Sequence, residues 1–569
     1  MVKGNTTKRK ALIGLLVFLG VLILVNFVGS QLFHRFDLTK EKRFSLTPGT
    51  KDLLRNLDDV AFVRVYLEGD FPSGFKRLQN GTVEMLNEFR SYAGSNLEFE
   101  FENPLEGAGE EERYDILTEL AEKGIQPTNL QVRGDESYSE QIIIPAATIY
   151  YKGRETSIQL LENKIGQSPQ ESLNGSISLL EYKFAQAINT IDKVYKPKIG
   201  IIQGHGELLP DQMQGMVNVL SKNYTVERFD MDKHLYIPEN YQMIIIAKPT
   251  RKFSEPDKYK IDQFIMNGGN SMWLIDPMIA ELDSLRNNNA FMSVDRDLNL
   301  DDMLFKYGVR VNKNLVQDLQ CNPIPLMVGN LGDTPQYDLF GWYYYPVITS
   351  GQQEHPISKN LDAVSTKFVS TLDTVKSKGV KKHYLLSTSP YTKVQFSPVR
   401  VHLGMLREKV NEEQYNKGQQ NIAVLMEGSF PSLFANRLQP GTVAFTDTIS
   451  AFTNLPNSKP AKMIVIADGD FITSERNPNG ETLPTGFYRP TKETFANQQF
   501  LMNSIEYLLD NKGLLDSRTR EVKLRLLDSG RVKANKSFWQ LLNIVLPILL
   551  VLVFGGIYNF LRRRRFGLD

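Results

Sequence analysis

Two long apolar runs, one near each end, constrain this 569-residue chain more than anything between them. The first, ALIGLLVFLGVLILVNFVGS from Ala11, holds about 18 apolar residues with one polar interruption, Asn26. At 1.5 Å per residue a helix of that length covers about 27 Å, close to the hydrocarbon thickness of a bilayer. Lys3, Lys8, Arg9 and Lys10 precede it. The run is too long for an ordinary secretory signal and no A-x-A pattern follows, so the sequence predicts an uncleaved transmembrane helix over 11–29. The second run, FWQLLNIVLPILLVLVFGGIYNFL, predicts another over 538–561. Trp539 and Tyr558 stand near its ends, where aromatic rings suit the membrane–water boundary, and Arg562 to Arg565 follow at once. Basic clusters flank both outer ends, which puts tails 1–10 and 562–569 in the cytoplasm and roughly 500 residues on the far side of the membrane.

Composition bounds what that outer portion can be. With 41% apolar and 23% charged residues it can bury large cores. A net charge of +1 gives no support to a nucleic-acid partner, which calls for a strong basic excess. The single cysteine, Cys321 in the loop-like DLQCNPIP, rules out an intramolecular disulfide and a zinc site of paired cysteines. His34, His205, His234, His355, His383 and His402 are scattered, with no HExxH pairing. No G-x-S-x-G elbow, no G-x-x-x-x-G-K-[ST] phosphate loop and no G-x-G-x-x-G after a strand occurs, so the chain should not hydrolyse ATP itself.

Residues 30–193 alternate between strand and helix signals. Ser45 or Thr47 can cap a helix with Pro48 in its first turn, and Leu46, Leu53, Leu54 and Leu57 follow at helical spacing. This predicts a stalk or entry helix close to the membrane. VAFVRVYL and LEFEFENP are strand-like, and TVEMLNEFRSYA and YDILTELAEKG helical. QIIIPAATIYYKG with ETSIQLL suggests a hairpin, and GSISLLEYKFAQAINTI a closing helix. The order β-α-β-α-β-β-α is that of a thioredoxin-like domain. It lacks cysteine, which excludes thiol redox work and leaves a binding or spacer module.

Residues 194–512 change pattern. KIGIIQ, YTVERFD, QMIIIAKP and NSMWLIDP are strand-like and alternate with PDQMQGMVNVLSKN and DKYKIDQFIMNGG, which have helical period. NIAVLMEG and AKMIVIADGDF predict later strands of the same type, and ANQQFLMNSIEYLLDN an amphipathic helix. The pattern argues for a parallel, doubly wound α/β sheet. Asn287 to Pro390 looks loop-rich, and 513–537 a juxtamembrane segment. LEGDFPSGFKRLQNGTV from Leu67 is echoed by MEGSFPSLFANRLQPGTV from Met426, either a duplicated unit or shared turn chemistry.

Ligands of open α/β sheets bind at the carboxyl ends of the strands. Three strands end there in polar residues: GIIQGHGE in His205 and Glu207, MWLIDP in Asp276, and VIADGD in Asp468 and Asp470. Were these strands neighbours, the five residues would form a binding site for a polar ligand or a divalent cation. The competing reading is structural: Gly204 and Gly206 serve a tight turn, Asp276 precedes Pro277, and Asp468-Gly469-Asp470 fixes a loop. On that reading no residue is catalytic and no cofactor or metal is held.

Several stretches, in order, carry a family resemblance: DLTKEKRFSLTPGT after the first apolar run, VYLEGDFP, GIIQGHGE, FIMNGGNSMWLIDP, EHPISKNL, LMEGSFPSLF, VIADGDF, and the last run with its arginines. Together they resemble the gliding-motility-associated ABC transporter substrate-binding proteins (the GldG family) and the wider group of auxiliary components of uncharacterised ABC transport systems. The resemblance covers nearly the whole chain. It implies a glutamine-amidotransferase-like central domain, separate ABC permease and ABC ATPase subunits as partners, a two-pass protein of the bacterial inner membrane with its large portion in the periplasm, and a role in gliding. True amidotransferases carry a cysteine on a strand-to-helix elbow, and this sequence has none there. The expectation is therefore a non-enzymatic auxiliary subunit. The alternatives are an extracytoplasmic hydrolase using His205 with Glu207, Asp276 or Asp470, and a mechanical scaffold of the envelope.

Overall fold

The computed structural model describes residues 13–24, 45–133, 138–162, 168–193, 195–286, 288–349, 355–359, 361–435, 437, 455–510, 512–519 and 535–566. The chain forms two compact units, Met1–Glu521 and Val522–Asp569.

The folded body of the first unit opens with helix α1 (Pro48–Arg55). Thr47 caps it, its Oγ1 accepting from the Thr50 N–H at 3.4 Å, and Pro48 fills the first turn. It is not a stalk. Leu46, Leu53, Leu54 and Leu57 are all buried, and Thr47 donates through N and Oγ1 to Glu181 at 2.6 and 2.9 Å. The helical spacing is that of a core-facing stripe.

The elements that follow are β1 (Ala61–Val65), α2 (Ser73–Ala93), β2 (Leu97–Phe101), α3 (Glu110–Glu122), β3 (Thr128–Arg133), β4 (Tyr138–Ile143), β5 (Ala146–Tyr151), β6 (Arg154–Gln159), α4 (Pro169–Ser178) and α5 (Leu180–Asp192). A four-stranded sheet runs β2-β1-β5-β6, with β1 parallel to β2 and antiparallel to β5. QIIIPAATIYYKG is two strands rather than one. Pro145 has no N–H for a ladder, and the chain divides there. β4 pairs with β3 in a separate hairpin, while β5 and β6 turn back through Lys152 (φ 50°) and Gly153 (φ 70°). The closing helix is also two: a capping box of Ser168 and Glu171 starts α4, and the chain breaks step at Leu179 before α5.

The next strands are β7 (Lys198–Gln203), β8 (Thr225–Asp230), β9 (Tyr241–Ala247) and β10 (Asn270–Leu274), with helices α6 (Gln214–Leu220) and α7 (Glu255–Met266) between them. Gly268 (φ 96°) closes α7, its N–H reaching the Ile265 carbonyl and that of Gly269 the Phe264 carbonyl. The stretch expected to be loop-rich contains a long hairpin, β11 (Cys321–Leu331) and β12 (Thr334–Ile348), turning at Gly332 (φ 64°). Pro323 and Pro325 imitate loop punctuation, but β11 has a free edge and tolerates them, while Pro335 sits in β12 beside the turn. Cys321 thus begins a strand.

After β13 (Val380–Ser387), β14 (Asn421–Gly428) and β15 (Ala461–Ile466) the seven-stranded sheet is complete in the order β13-β14-β15-β10-β9-β7-β8. The five strands β8-β7-β9-β10-β15 are parallel. β14 is antiparallel to β15 and to β13, contrary to the expectation that NIAVLMEG and AKMIVIADGDF share one direction. A strand buried on both faces is a continuous apolar run whichever way it points, so its residues carry no sign of direction. Ile199, Ile201, Met243, Ile245, Met272 and Ile464 face one core with α6 and helix α8 (Asn497–Leu509). Ile202, Ile244, Ile246, Trp273 and Val465 face the other with α7.

The chain then returns to the first module. A short 3-10 turn, Leu514–Thr519, sets Leu514 into the core of α1, β1 and α5. The Arg518 guanidinium stands 5.0 Å over the Tyr182 ring, and the Tyr182 hydroxyl donates to half-buried Glu506. A Cβ on Gly49 would come within 2.3 Å of the Lys512 carbonyl oxygen. Residues 513–519, part of the segment expected to be juxtamembrane, therefore pack into the body, and its first and last residues meet.

Within the second unit, helix α9 (Lys536–Phe566) is, among the described residues, the one helix long and apolar enough to cross a membrane. The first apolar run is helical over Ile13–Leu24. The rest of 11–29 and the basic residues before it lie outside the described residues.

Candidate functional site

In the parallel order β8-β7-β9-β10-β15 the winding reverses between β7 and β9, which is where an α/β sheet of this topology opens a crevice. Here two loops fill it. The Thr250 and Arg251 N–H groups donate to the His205 carbonyl at 2.9 and 2.8 Å, Leu208 N–H donates to Ala247 at 3.1 Å, and Thr250 Oγ1 donates to the Gly206 carbonyl at 2.9 Å. Gly206 (φ 71°) allows this approach, since a Cβ there would lie 2.2 Å from Thr250 Oγ1.

His205 is 4% exposed and stacks on Phe253 with ring centres 3.7 Å apart. Its Nδ1 lies 3.2 Å from Glu207 Oε1, and its Nε2 3.2 Å from Asp257 Oδ2. Glu207 Oε2 also accepts from the His205 N–H at 2.7 Å. Asp257 accepts from Ser254 Oγ at 2.6 Å and from Lys260 Nζ at 3.0 Å. Burial alone would lower the imidazole pKa, but the Asp257 and Glu207 carboxylates outweigh it and raise it to about 9. Burial would raise Asp257; hydrogen bonds from His205, Ser254 and Lys260 instead hold it well below the usual carboxylate range. His205 is thus an imidazolium at neutral pH with both N–H groups engaged, and it has no lone pair for a proton or a metal.

Asp276 follows β10, and Asp468 and Asp470 follow β15 on the adjacent strand. Lys248, at the end of β9 in a left-handed conformation (φ 51°), reaches across to them. Its Nζ lies 2.7 and 2.8 Å from the two Asp470 oxygens, 3.7 Å from Asp276 and 4.0 Å from Glu281. Asp276 accepts from the Gly469 N–H at 2.6 Å, and fully buried Asp468 accepts from the Lys367 and Asp470 N–H groups at 2.8 and 2.9 Å. Burial, followed by the charge of Asp470, raises Asp276 to about 7; burial, followed by Asp276 and Asp470, raises Asp468 well above the carboxylate range. A cavity of about 30 Å³ beside Asp468 and Asp470 has room for about one water. The cation in this group is the chain's own ammonium. Among the described residues no three or more His, Cys, Asp or Glu side chains are disposed to hold a metal ion.

The five candidates therefore fall into two groups, His205 with Glu207, and Asp276 with Asp468 and Asp470. Among the described residues no hydrogen bond or ion pair joins them. Sequence reasoning missed Asp257, Lys260 and Lys248. Ser254 with Asp257 three residues on is a helix-capping signal visible in FSEPDKYK, but the bond to His205 spans 52 residues. Burial pushes the Cys321 thiol up to about 12, which leaves it un-ionised and inert. A much larger concavity, about 1060 Å³, lies at the opposite edge of the sheet, where Tyr241, Asn270 and Ala461 begin their strands.

Residues 196–504 match the family described as an ABC-type uncharacterized transport system, and residues 40–150 match a domain of unknown function. An uncharacterized protein of Borreliella burgdorferi is 20% identical over 569 residues, covering 98% of this chain and 99% of the relative. The N-terminal domain of mmIFT52 is 13% identical with a TM-score of 0.31, over 55% of this chain and 98% of that one. A ThuA-like protein of Parabacteroides merdae is 10% identical with a TM-score of 0.26, over 59% and 94%. Both TM-scores are too low to support an argument about fold.

Proposed function

This chain belongs to the family of ABC-type uncharacterized transport systems, and on that premise we propose that it is a non-enzymatic, membrane-anchored auxiliary subunit of an ABC transporter. His205 carries the non-enzymatic part: this histidine at the carboxyl edge of the parallel sheet is locked between Glu207 and Asp257. Lacking a phosphate loop, the chain takes its driving force from a separate ATPase subunit, acting with a separate permease. The body is periplasmic and the protein crosses the bacterial inner membrane twice. In support, Gly49 and Lys512 adjoin, so the first and last segments of the body lie together.

We take the β2-β1-β5-β6 module to be thioredoxin-like, on its strand order and directions, and the seven-stranded module to be glutamine-amidotransferase-like without the chemistry. Of His205, Glu207, Asp276, Asp468 and Asp470, we assign ligand contact at the carboxyl edge to Asp470, whose side chain is 20% exposed beside Lys248, and a holding role to the rest. A place in gliding is the finest form of the proposal. The test is affinity purification from detergent-solubilised membranes with mass spectrometry. Stoichiometric permease and ATPase subunits support the proposal; the chain purified alone contradicts it. For the gliding role, deletion of the gene should abolish surface movement.

A further inference from the structure

The concavity at the amino edge of the seven-stranded sheet is lined by Lys193, Tyr195, Lys196, Tyr236, Lys462 and Leu508. Tyr195 is 85% exposed. Lys462 donates to the Tyr507 and Asp510 carbonyls at 2.8 and 3.0 Å and stands 4.5 Å over the Tyr507 ring, with no carboxylate at ion-pair distance among the described residues. Lys193 is exposed and likewise without an ion pair. Burial lowers the pKa of Lys462. Two carboxylates, Glu239 and Glu427, share the groove; its fourth lysine, Lys260, is held by Asp257.

Three observations bear on what this surface meets. It lies at the corner where the body begins and ends: Lys193 closes α5, Leu508 ends α8, and Lys512 touches Gly49. The sequence between the body and each apolar run is basic. Residues 31–44 hold Arg35, Lys40, Lys42 and Arg43 against Asp37 and Glu41. Residues 520–536 hold Arg520, Lys523, Arg525, Arg531, Lys533 and Lys536 against Glu521 and Asp528, in a chain whose overall net charge is only +1. Exposed tyrosines beside lysines are the side chains that suit the headgroup region of a bilayer.

We infer that this edge of the body docks on the anionic phospholipid headgroups of the bilayer that receives the apolar runs, the groove lysines meeting lipid phosphate and Tyr195 and Tyr236 lying at headgroup level. The inference rests on the membrane-anchored reading above. At about 3.4 Å per residue the connecting segments let the body stand tens of ångströms clear, so the tether does not impose the contact.

The experiment reconstitutes the full chain into vesicles of phosphatidylcholine alone or with added phosphatidylglycerol. A membrane-impermeant amine-acylating reagent labels exposed lysines, and mass spectrometry reads Lys193, Lys196 and Lys462 relative to Lys252. Lys252 is exposed just beyond the carboxyl end of β9, at the opposite edge of the sheet, and the ratio cancels orientation. The expected result is a several-fold loss of Lys193 and Lys196 labelling in phosphatidylglycerol vesicles only, reversed by high salt. Equal labelling in both vesicles overturns the inference. Protection by inorganic phosphate added to phosphatidylcholine vesicles overturns the lipid assignment in favour of a free anion. Flotation separates the two readings: a chain that floats with both vesicles but labels alike loses the docking alone, and one that floats with neither loses the anchor and the docking with it.

Discussion

The two edges of the seven-stranded sheet differ in how their charges are satisfied. At the carboxyl edge every candidate polar group is paired within the chain: His205 with Glu207 and Asp257, Lys248 with Asp470, Asp468 with two backbone N–H groups. At the amino edge, Lys193 and Lys462 line an open concavity with no carboxylate at ion-pair distance among the described residues. Topology says where a crevice belongs, but a site also needs unpaired groups facing solvent. By that criterion the His205 clamp is structural, Asp470 alone of the five candidates keeps solvent contact, and the opposite edge is available.

The comparison breaks most readily at His205. His205→Ala leaves two buried carboxylates without their shared cation and should cost about 3–5 kcal/mol, read by urea unfolding of the full chain. An unchanged midpoint would mean that the clamp holds nothing. The pH dependence comes next. His205 has a folded value near 9, above its unfolded value, so its contribution is complete below about pH 6.5 and is lost as pH rises through 9, roughly 3 kcal/mol in all. Asp276, raised to about 7, has the same sign: the folded state binds the extra proton, and stability declines as pH rises through 7. His205→Gln should flatten the alkaline limb of that curve and leave the limb near pH 7 in place. Gly469→Ala is smaller. Its Cβ would lie 2.6 Å from Lys248 Cγ and 2.9 Å from Asp276 Oδ2, and moving them apart should cost about 1–3 kcal/mol, visible as a lower thermal midpoint. At the other edge, Lys193→Gln with Lys196→Gln should shift stability by no more than about 0.5 kcal/mol. A larger loss would show that these lysines hold the fold too and would erase the contrast.

Much of this was legible before any coordinates. KIGIIQ, QMIIIAKP and NSMWLIDP read as strands because they are short, largely apolar runs between helical segments. The loops after β10 and β15 do converge, because their strands are adjacent. The direction of β14 was illegible, since burial on both faces erases periodicity. The β11–β12 hairpin was hidden by prolines that only a free edge accepts. His205 looked like a reagent because its partner, Asp257, is distant in sequence. The amino-edge groove was invisible for a related reason: Lys193, Tyr236 and Lys462 come from separate segments and share no motif. In the LEGDFP and MEGSFP echo the glycine conformations match and the sheet contexts differ. Gly69 and Gly428 adopt φ of 141° and 137°, yet β1 has one parallel and one antiparallel neighbour while β14 has two antiparallel ones.

The most direct test of the claim that His205 holds the fold rather than acts is to purify the His205→Gln chain from membranes beside the wild type. Its melting temperature and the proportion of co-purifying permease and ATPase subunits would be measured on the same samples. The account predicts a lower melting temperature with partners retained in wild-type proportion. A chain that melts normally and has lost its partners would contradict it.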